Sequence, residues 1–143
     1  IKSPSVFKGY KGKEEATFDS FHSGYFITGD IGMFDDEGYL YFLGRVKEMI
    51  KCSGYSVYPE EVEKMLLQHE CISEAVVIGV PDRLRGESVK AFIVSSPGSS
   101  LSEGELVDWA KSKMSAYKYP RQIEFIDKIP KTSSGKVMRR MLK

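Results

Sequence analysis

Two cysteines, two histidines and one tryptophan in 143 residues leave little material for several kinds of chemistry. Cys52 and Cys71 form no CxxC pair, and the one neighbouring histidine, His69, stands at no zinc-binding spacing. A disulfide scaffold and a structural zinc site are therefore not expected, and both thiols read as reduced, in a cytoplasmic protein. No stretch approaches the ~18 consecutive apolar residues that would span a bilayer, so no transmembrane segment is expected. No secretory leader and no internal repeat are visible, and the chain opens on Ile1 without an initiator Met, as a fragment would. A surplus of either charge is missing too: the net charge is +1.

What is present suits an ordinary globular core, with 41% hydrophobic and 29% charged residues. Charge is uneven along the chain. Eight basic residues lie between Lys118 and Lys143 against Glu124 and Asp127 alone, which leaves that end at about +6. Such an end attracts phosphates; a solvated basic surface is the plainer alternative.

The first forty-four residues are rich in glycine and aromatics, which suits short strands and turns. Asp35-Asp36-Glu37-Gly38 is a turn between Ile31–Phe34 and Tyr39–Leu43, and Ser53-Gly54 is a second, between Met49-Ile50 and Tyr55–Val57. Pro59, with Glu60 and Glu61 behind it, starts a helix expected to end near Glu70, since a first-turn proline and first-turn acids suit the positive end of the helix dipole. Val62, Met65, Leu66 and His69 form its apolar stripe. Ala75–Val80 and Val89–Val94 read as strands, the first ended by Pro81-Asp82. Ser102 and Glu105 spell a capping box before a helix that buries Leu106, Val107, Ala110 and Met114. Gln122–Ile126 is a last strand. Few strands interleaved with helices predict an α+β fold rather than a doubly wound sheet.

Three segments carry candidate chemistry. In Thr28-Gly29-Asp30 a carboxylate follows a glycine turn, placed to accept hydrogen bonds from a diol such as a ribose or, alternatively, to cap its own backbone. Gly44–Tyr55 is a charged stretch between two β-rich units, either a plain hairpin or a linker whose dihedrals change between states. Gly54 within it permits close passage of a ligand. Pro130–Lys136 delivers one lysine on a loop of small residues. It is not a Walker phosphate loop, because Pro130 and Val137 stand where that loop needs Gly and Ser or Thr.

The order and spacing of these segments resemble the acyl-adenylate-forming family of acyl-CoA synthetases, luciferases and peptide-synthetase adenylation domains. The text GYFITGDIGMFDDEGYLYFLGRVKEMIKCSGYSVYPEEVE resembles that family's ribose-binding and hinge segments, PKTSSGK its terminal lysine motif, and VIGVPDRLRGESVKAFIV the stretch between them. The resemblance covers nearly the whole chain. It implies a small C-terminal lid domain, with a short, mostly antiparallel sheet flanked by helices. Residues 1–44 would be the β-rich end of a large N-terminal domain, 45–51 a hinge, and 52–143 the mobile lid.

By the same resemblance, Asp30 and Arg45 bind the nucleotide, Lys47 is the hinge residue and Lys136 is the catalytic lysine of acyl-adenylate formation. Gly54, Tyr55 and Lys51 line the path of the CoA pantetheine. Arg85, Lys118 and Arg121 are basic candidates for the CoA nucleotide, with a solvated surface the alternative for each. Substrates and cofactors would be ATP with Mg2+, CoA and a carboxylic acid, a fatty acid being the first choice, although the acyl pocket and phosphate loop belong to the upstream domain. The partner would be that domain, with no nucleic acid, no metal ligand in this chain, and no activity for this chain alone. An adenylation domain that loads a carrier protein is the nearest alternative; a luciferase-like oxygenase fits less well. A basic nucleic-acid-binding module is the alternative of another class, which would need interleaved aromatics where the tail has only Tyr117 and Tyr119.

Overall fold

The computed structural model describes residues 1–142; Lys143, counted above in the basic tail, lies outside the described residues. The fold is α+β, as the sequence pattern predicts, with mainly antiparallel sheets, as the family resemblance implies.

The first part holds a short helix α1 (Glu14–Asp19) and two hairpins, β1 (Phe21–His22) with β2 (Tyr25–Phe26), and β3 (Asp30–Phe34) with β4 (Leu40–Arg45). The β3–β4 turn is tied by Asp35, whose Oδ1 accepts the N–H groups of Glu37 at 3.0 Å and Tyr39 at 2.8 Å. No residue before Gly44 is buried. Phe34, Tyr39, Leu40, Tyr41 and Phe42 lie more than half exposed, so the hairpin presents a run of apolar side chains to solvent.

After a 3-10 turn at Val46–Glu48, a five-stranded sheet forms from β5 (Ile50–Cys52), β6 (Tyr55–Val57), β7 (Ile72–Asp82), β8 (Gly86–Ser95) and β9 (Gln122–Phe125). β8 is central, with β7 antiparallel along one side and β5 and then the parallel β9 along the other. Helices α2 (Pro59–Leu66) and α3 (Glu103–Lys113) complete it. Val62 and Leu66 of α2 and Leu106 and Ala110 of α3 join Val89, Ala91 and Ile93 of β8 in one buried cluster. At ~1.5–3 kcal/mol per buried aliphatic side chain, this cluster is the main source of the fold's stability.

Local signals explain most boundaries. Pro59 occupies the first turn of α2, and Ser102 caps α3 by accepting the Glu105 N–H while Glu105 accepts the Ser102 N–H at 2.9 Å. Val107 and Met114 pack only partly buried against the core. Three features depart from the expectation. The helix α1 was not foreseen. α2 ends at Leu66, not near Glu70, and His69 instead turns its Nδ1 to the Cys71 N–H at 3.2 Å. β7 runs through Pro81-Asp82 rather than stopping there, because it is the edge strand and a proline there removes no ladder bond on the outer side.

Candidate functional site

Asp30 and Arg45 are Cα partners at the open end of the β3–β4 hairpin. Arg45 Nε stands 3.2 Å from Asp30 Oδ1, with both side chains more than a third exposed. Gly29, at φ +76°, turns the chain into β3, and its carbonyl accepts the Val46 N–H at 2.9 Å. An open hollow of about 630 Å³ lies beside them, walled by Tyr25, Phe26, Thr28, Gly29, Asp30 and Val46. A carboxylate at the rim of an apolar bowl can hold a polar diol while the bowl takes a flat ring.

Lys47 sits in the middle of the 3-10 turn that joins this hairpin to the five-stranded sheet. Its side chain borders a second hollow of about 240 Å³, shared with Glu48, Val77, Glu87, Arg139 and Arg140.

Ser53 and Gly54 form the two-residue turn of the β5–β6 hairpin, with φ +52° and +83°. Two left-handed residues match the strand twist of a tight hairpin, and the glycine carries the second at no steric cost. Nothing lies within 4 Å of the place where a Gly54 side chain would begin, so this face is open. Tyr55 stacks on Tyr117, with centroids 4.2 Å apart and planes 13° from parallel. Lys51 Nζ donates to Ser56 Oγ at 3.0 Å, so it runs along the same hairpin.

Lys136 is exposed on a narrow turn. Lys131 and Val137 form a β-bridge, the Thr132 N–H donates to the Lys136 carbonyl at 2.8 Å, and the Lys136 N–H donates to Thr132 Oγ1 at 3.1 Å. Gly135, at φ +82°, closes the turn. Among the described residues the Lys136 ammonium makes no ion pair. The structure thus unites Asp30 with Arg45, and Lys51, Gly54 and Tyr55 on one hairpin, while Lys136 belongs to a third turn, closed by the Lys131–Val137 bridge.

Two features escaped the sequence. Tyr117 is the stacking partner of Tyr55, sixty-two positions away in the chain. Arg139, read only as part of a basic tail, donates to both Glu63 oxygens at 2.8 and 3.0 Å. Part of the basic tail is paired: Lys118 with Glu61, Lys131 with Glu74 and Arg139 with Glu63. Burial holds the Glu63 carboxyl above its ordinary range despite the Val77 N–H and Arg139 beside it.

The family of AMP-binding enzyme C-terminal domains matches residues 61–136, ending on Lys136 itself. This chain belongs to that family. A long-chain-fatty-acid–CoA ligase of Bacillus subtilis (strain 168) is 46% identical over 99% of this chain and 25% of its own length. An oxalate–CoA ligase of Arabidopsis thaliana is 40% identical over 99% of this chain and 28% of its own. ATP-bound MatB from Rhodopseudomonas palustris superposes with a TM-score of 0.94 at 36% identity, over 99% of this chain and 28% of that one. The chain therefore spans about a quarter of the length of the curated relatives it matches. Among the described residues of this AMP-binding C-terminal domain, no helix is long and apolar enough to cross a membrane, and no group of three or more His, Cys, Asp or Glu could hold a metal.

Proposed function

We propose that this chain is the C-terminal part of an AMP-forming acyl-CoA synthetase, joining the end of a large nucleotide-binding domain to a mobile lid. The observation that carries the reading is the exposure of Lys136 at the tip of a turn outside the lid's own core. A structural lysine would be paired or packed; this one is presented outward. Residues 1–44 support the division, since Gly44 is their one buried residue and they display aromatic side chains suited to a larger domain upstream. The core beyond residue 49 is complete in itself.

In the first half-reaction, a substrate carboxylate oxygen attacks the α-phosphorus of ATP, forming the mixed carboxylic–phosphoric anhydride of acyl-AMP and breaking the α–β phosphoanhydride bond to expel pyrophosphate. Asp30 takes the ribose hydroxyls, Arg45 lies beside the same nucleotide, and Lys136 meets the negative charge that builds on the transferring phosphoryl group. Mg2+ enters with ATP as part of that substrate, and no step assigned to this chain runs through it. The superposition on an ATP-bound relative across both sides of the hinge favours this state for the geometry described.

In the second half-reaction the lid pivots about Lys47. Lys136 withdraws and the open Gly54 turn, flanked by Lys51 and the Tyr55–Tyr117 stack, comes in beside the path of the CoA thiol. The thiol sulfur attacks the acyl carbonyl, its proton is lost, and AMP leaves. One site serves two reactions by exchanging one wall. Arg85 and Lys118 are already committed to Asp82 and Glu61, which leaves Arg121, stacked on Tyr119, as the freer contact for the CoA nucleotide. Cytoplasmic placement belongs to the same proposal, with both cysteines free and Cys52 buried.

The acid is not assigned. Relatives of 46% and 40% identity to this chain are named for a long-chain fatty acid and for oxalate, so choice of acid lies with the upstream domain. The test is acid-dependent pyrophosphate release by the full-length enzyme across a panel of carboxylic acids, followed by a search for the CoA thioester. Release that depends on an acid, with thioester formed when CoA is added, is expected. Release without thioester would move the reading to a carrier protein or another acceptor, and no release with any acid would overturn it.

A further inference from the structure

Arg139 is the centre of a half-buried cluster with too few cations. Its Nη2 reaches both Glu63 oxygens at 2.8 and 3.0 Å and Glu60 at 3.6 Å, and its Nη1 reaches Glu48 at 3.3 Å. Its Nε lies 3.4 Å from the Val77 carbonyl, and the Val77 N–H donates to Glu63 Oε1 at 2.8 Å. The ion pair thus covers one outward-facing residue of edge strand β7 with a donor and an acceptor, as a further strand would. Three carboxylates around one guanidinium are a poor stabiliser, since desolvation opposes the attraction, and Glu60 Oε2 is buried with no hydrogen-bond donor. That oxygen also lies 2.7 Å from where a Gly44 side chain would begin, on the far side of Lys47 from Glu48.

The Lys136 turn has two feet. One is the Lys131–Glu74 ion pair on β7. The other is the Met138 N–H on the Pro130 carbonyl at 2.8 Å, with Arg139 immediately after it. We propose that Arg139 is a positioning residue for acyl-adenylate formation: it fixes the second foot of the lysine turn to the hinge through Glu48 and to α2 through Glu63, so that rotation about Lys47 is passed to Lys136 as a rigid-body movement. A planar guanidinium with donors on three sides suits this task, where a lysine ammonium would hold one carboxylate at a time.

The proposal rests on the proposed function above, and the experiment separates the two. Adenylation is measured as acid-dependent pyrophosphate release, and the second step as thioester formation from supplied acyl-AMP, in the full-length enzyme. Arg139→Gln is expected to lower adenylation kcat by about 10–100-fold, the scale of a misplaced catalytic group, with thioester formation within about threefold of wild type. Glu48→Ala, which leaves the Arg139–Glu63 cover of β7 intact, is expected to lower adenylation in the same direction with an unchanged unfolding midpoint. Equal losses in both half-reactions, or normal adenylation in Glu48→Ala, would overturn the positioning role while leaving Lys136 its own. If Lys136→Ala leaves adenylation intact, the reading beneath fails and the proposal with it.

Discussion

Asp30 and Arg45 hold each other across the last register pair of the β3–β4 hairpin, 3.2 Å apart, one residue before the 3-10 turn at Val46–Glu48 begins. The contact orients the carboxylate without burying it, so it remains open to a ligand. If Asp30 takes both ribose hydroxyls, Asp30→Ala removes two hydrogen bonds to a charged acceptor, each worth about 1.5–3 kcal/mol in such settings. The KM for ATP in pyrophosphate release should rise at least about tenfold. Because the pair is exposed, the unfolding midpoint should move little. An unchanged KM for ATP would return Asp30 to the role of a simple turn residue.

If Lys136 serves acyl-adenylate formation alone, its removal gives the sharpest division between the two proposed half-reactions. Its ammonium stands outside the core, so Lys136→Ala should fold normally. Loss of one charge aimed at a developing phosphoryl charge is worth about 10²–10³ in rate. Pyrophosphate release in the full-length enzyme should fall by that factor, while thioester formation from supplied acyl-AMP is largely spared. Parallel loss in both steps would contradict the exchange of walls.

Local chemistry made most of the fold legible. Ser53-Gly54, Pro59, the Ser102–Glu105 box and the Asp35 turn each act within a few residues, and each stands where the pattern puts it. α1 was invisible because six residues between glycine-rich flanks show no period. β7 looked finished at Pro81 because edge position is a property of the sheet, not of the strand's own sequence. The site divides in the same way. Asp30, Lys47, Gly54 and Lys136 fall in continuous motifs. Arg139 and Glu63 lie 76 positions apart, and nothing in either neighbourhood names the other. The three acids that meet Arg139 come from the 3-10 turn at Val46–Glu48 and one face of α2, where they read as ordinary first-turn and surface charges.

Glu63 makes a prediction about pH. Its folded carboxyl titrates above its ordinary value of 4.5 because burial disfavours the charge, with Val77 and Arg139 opposing that shift. An acid raised on folding binds its proton more tightly in the native state, so its contribution is fully present below 4.5 and is lost as pH climbs through the folded value. Asp82 works in the other direction: the N–H groups of Leu84 and Arg85 lower its titration below 3.8, and its contribution disappears only as pH falls. The two windows lie on opposite sides of about pH 4, so urea midpoints can separate them. From about pH 4 to about pH 7, the midpoint of Glu63→Gln should fall less, or rise more, than that of wild type. Parallel curves would mean that Glu63 titrates as an ordinary surface acid.

If the lid pivots at Lys47, the backbone there is the part that matters, since Lys47 lies in the turn between the β3–β4 hairpin and the five-stranded sheet. It occupies the first turn of a 3-10 segment closed by the Met49 N–H on the Arg45 carbonyl at 3.1 Å. Proline is tolerated in a first turn, where the N–H has no intrahelical partner, but it fixes φ near about −65°. Lys47→Pro should therefore accept the present conformation and resist the other. In the full-length enzyme, pyrophosphate release should stay within a few-fold of wild type, while thioester formation falls by far more. Glu60 sharpens the expectation: its Oε2 lies 2.7 Å from where a Gly44 side chain would begin, so if Lys47 is the pivot this approach must open as the lid turns. Unchanged turnover to thioester in Lys47→Pro would place the pivot elsewhere, and equal slowing of both steps would show that the substitution disturbs the turn rather than its movement.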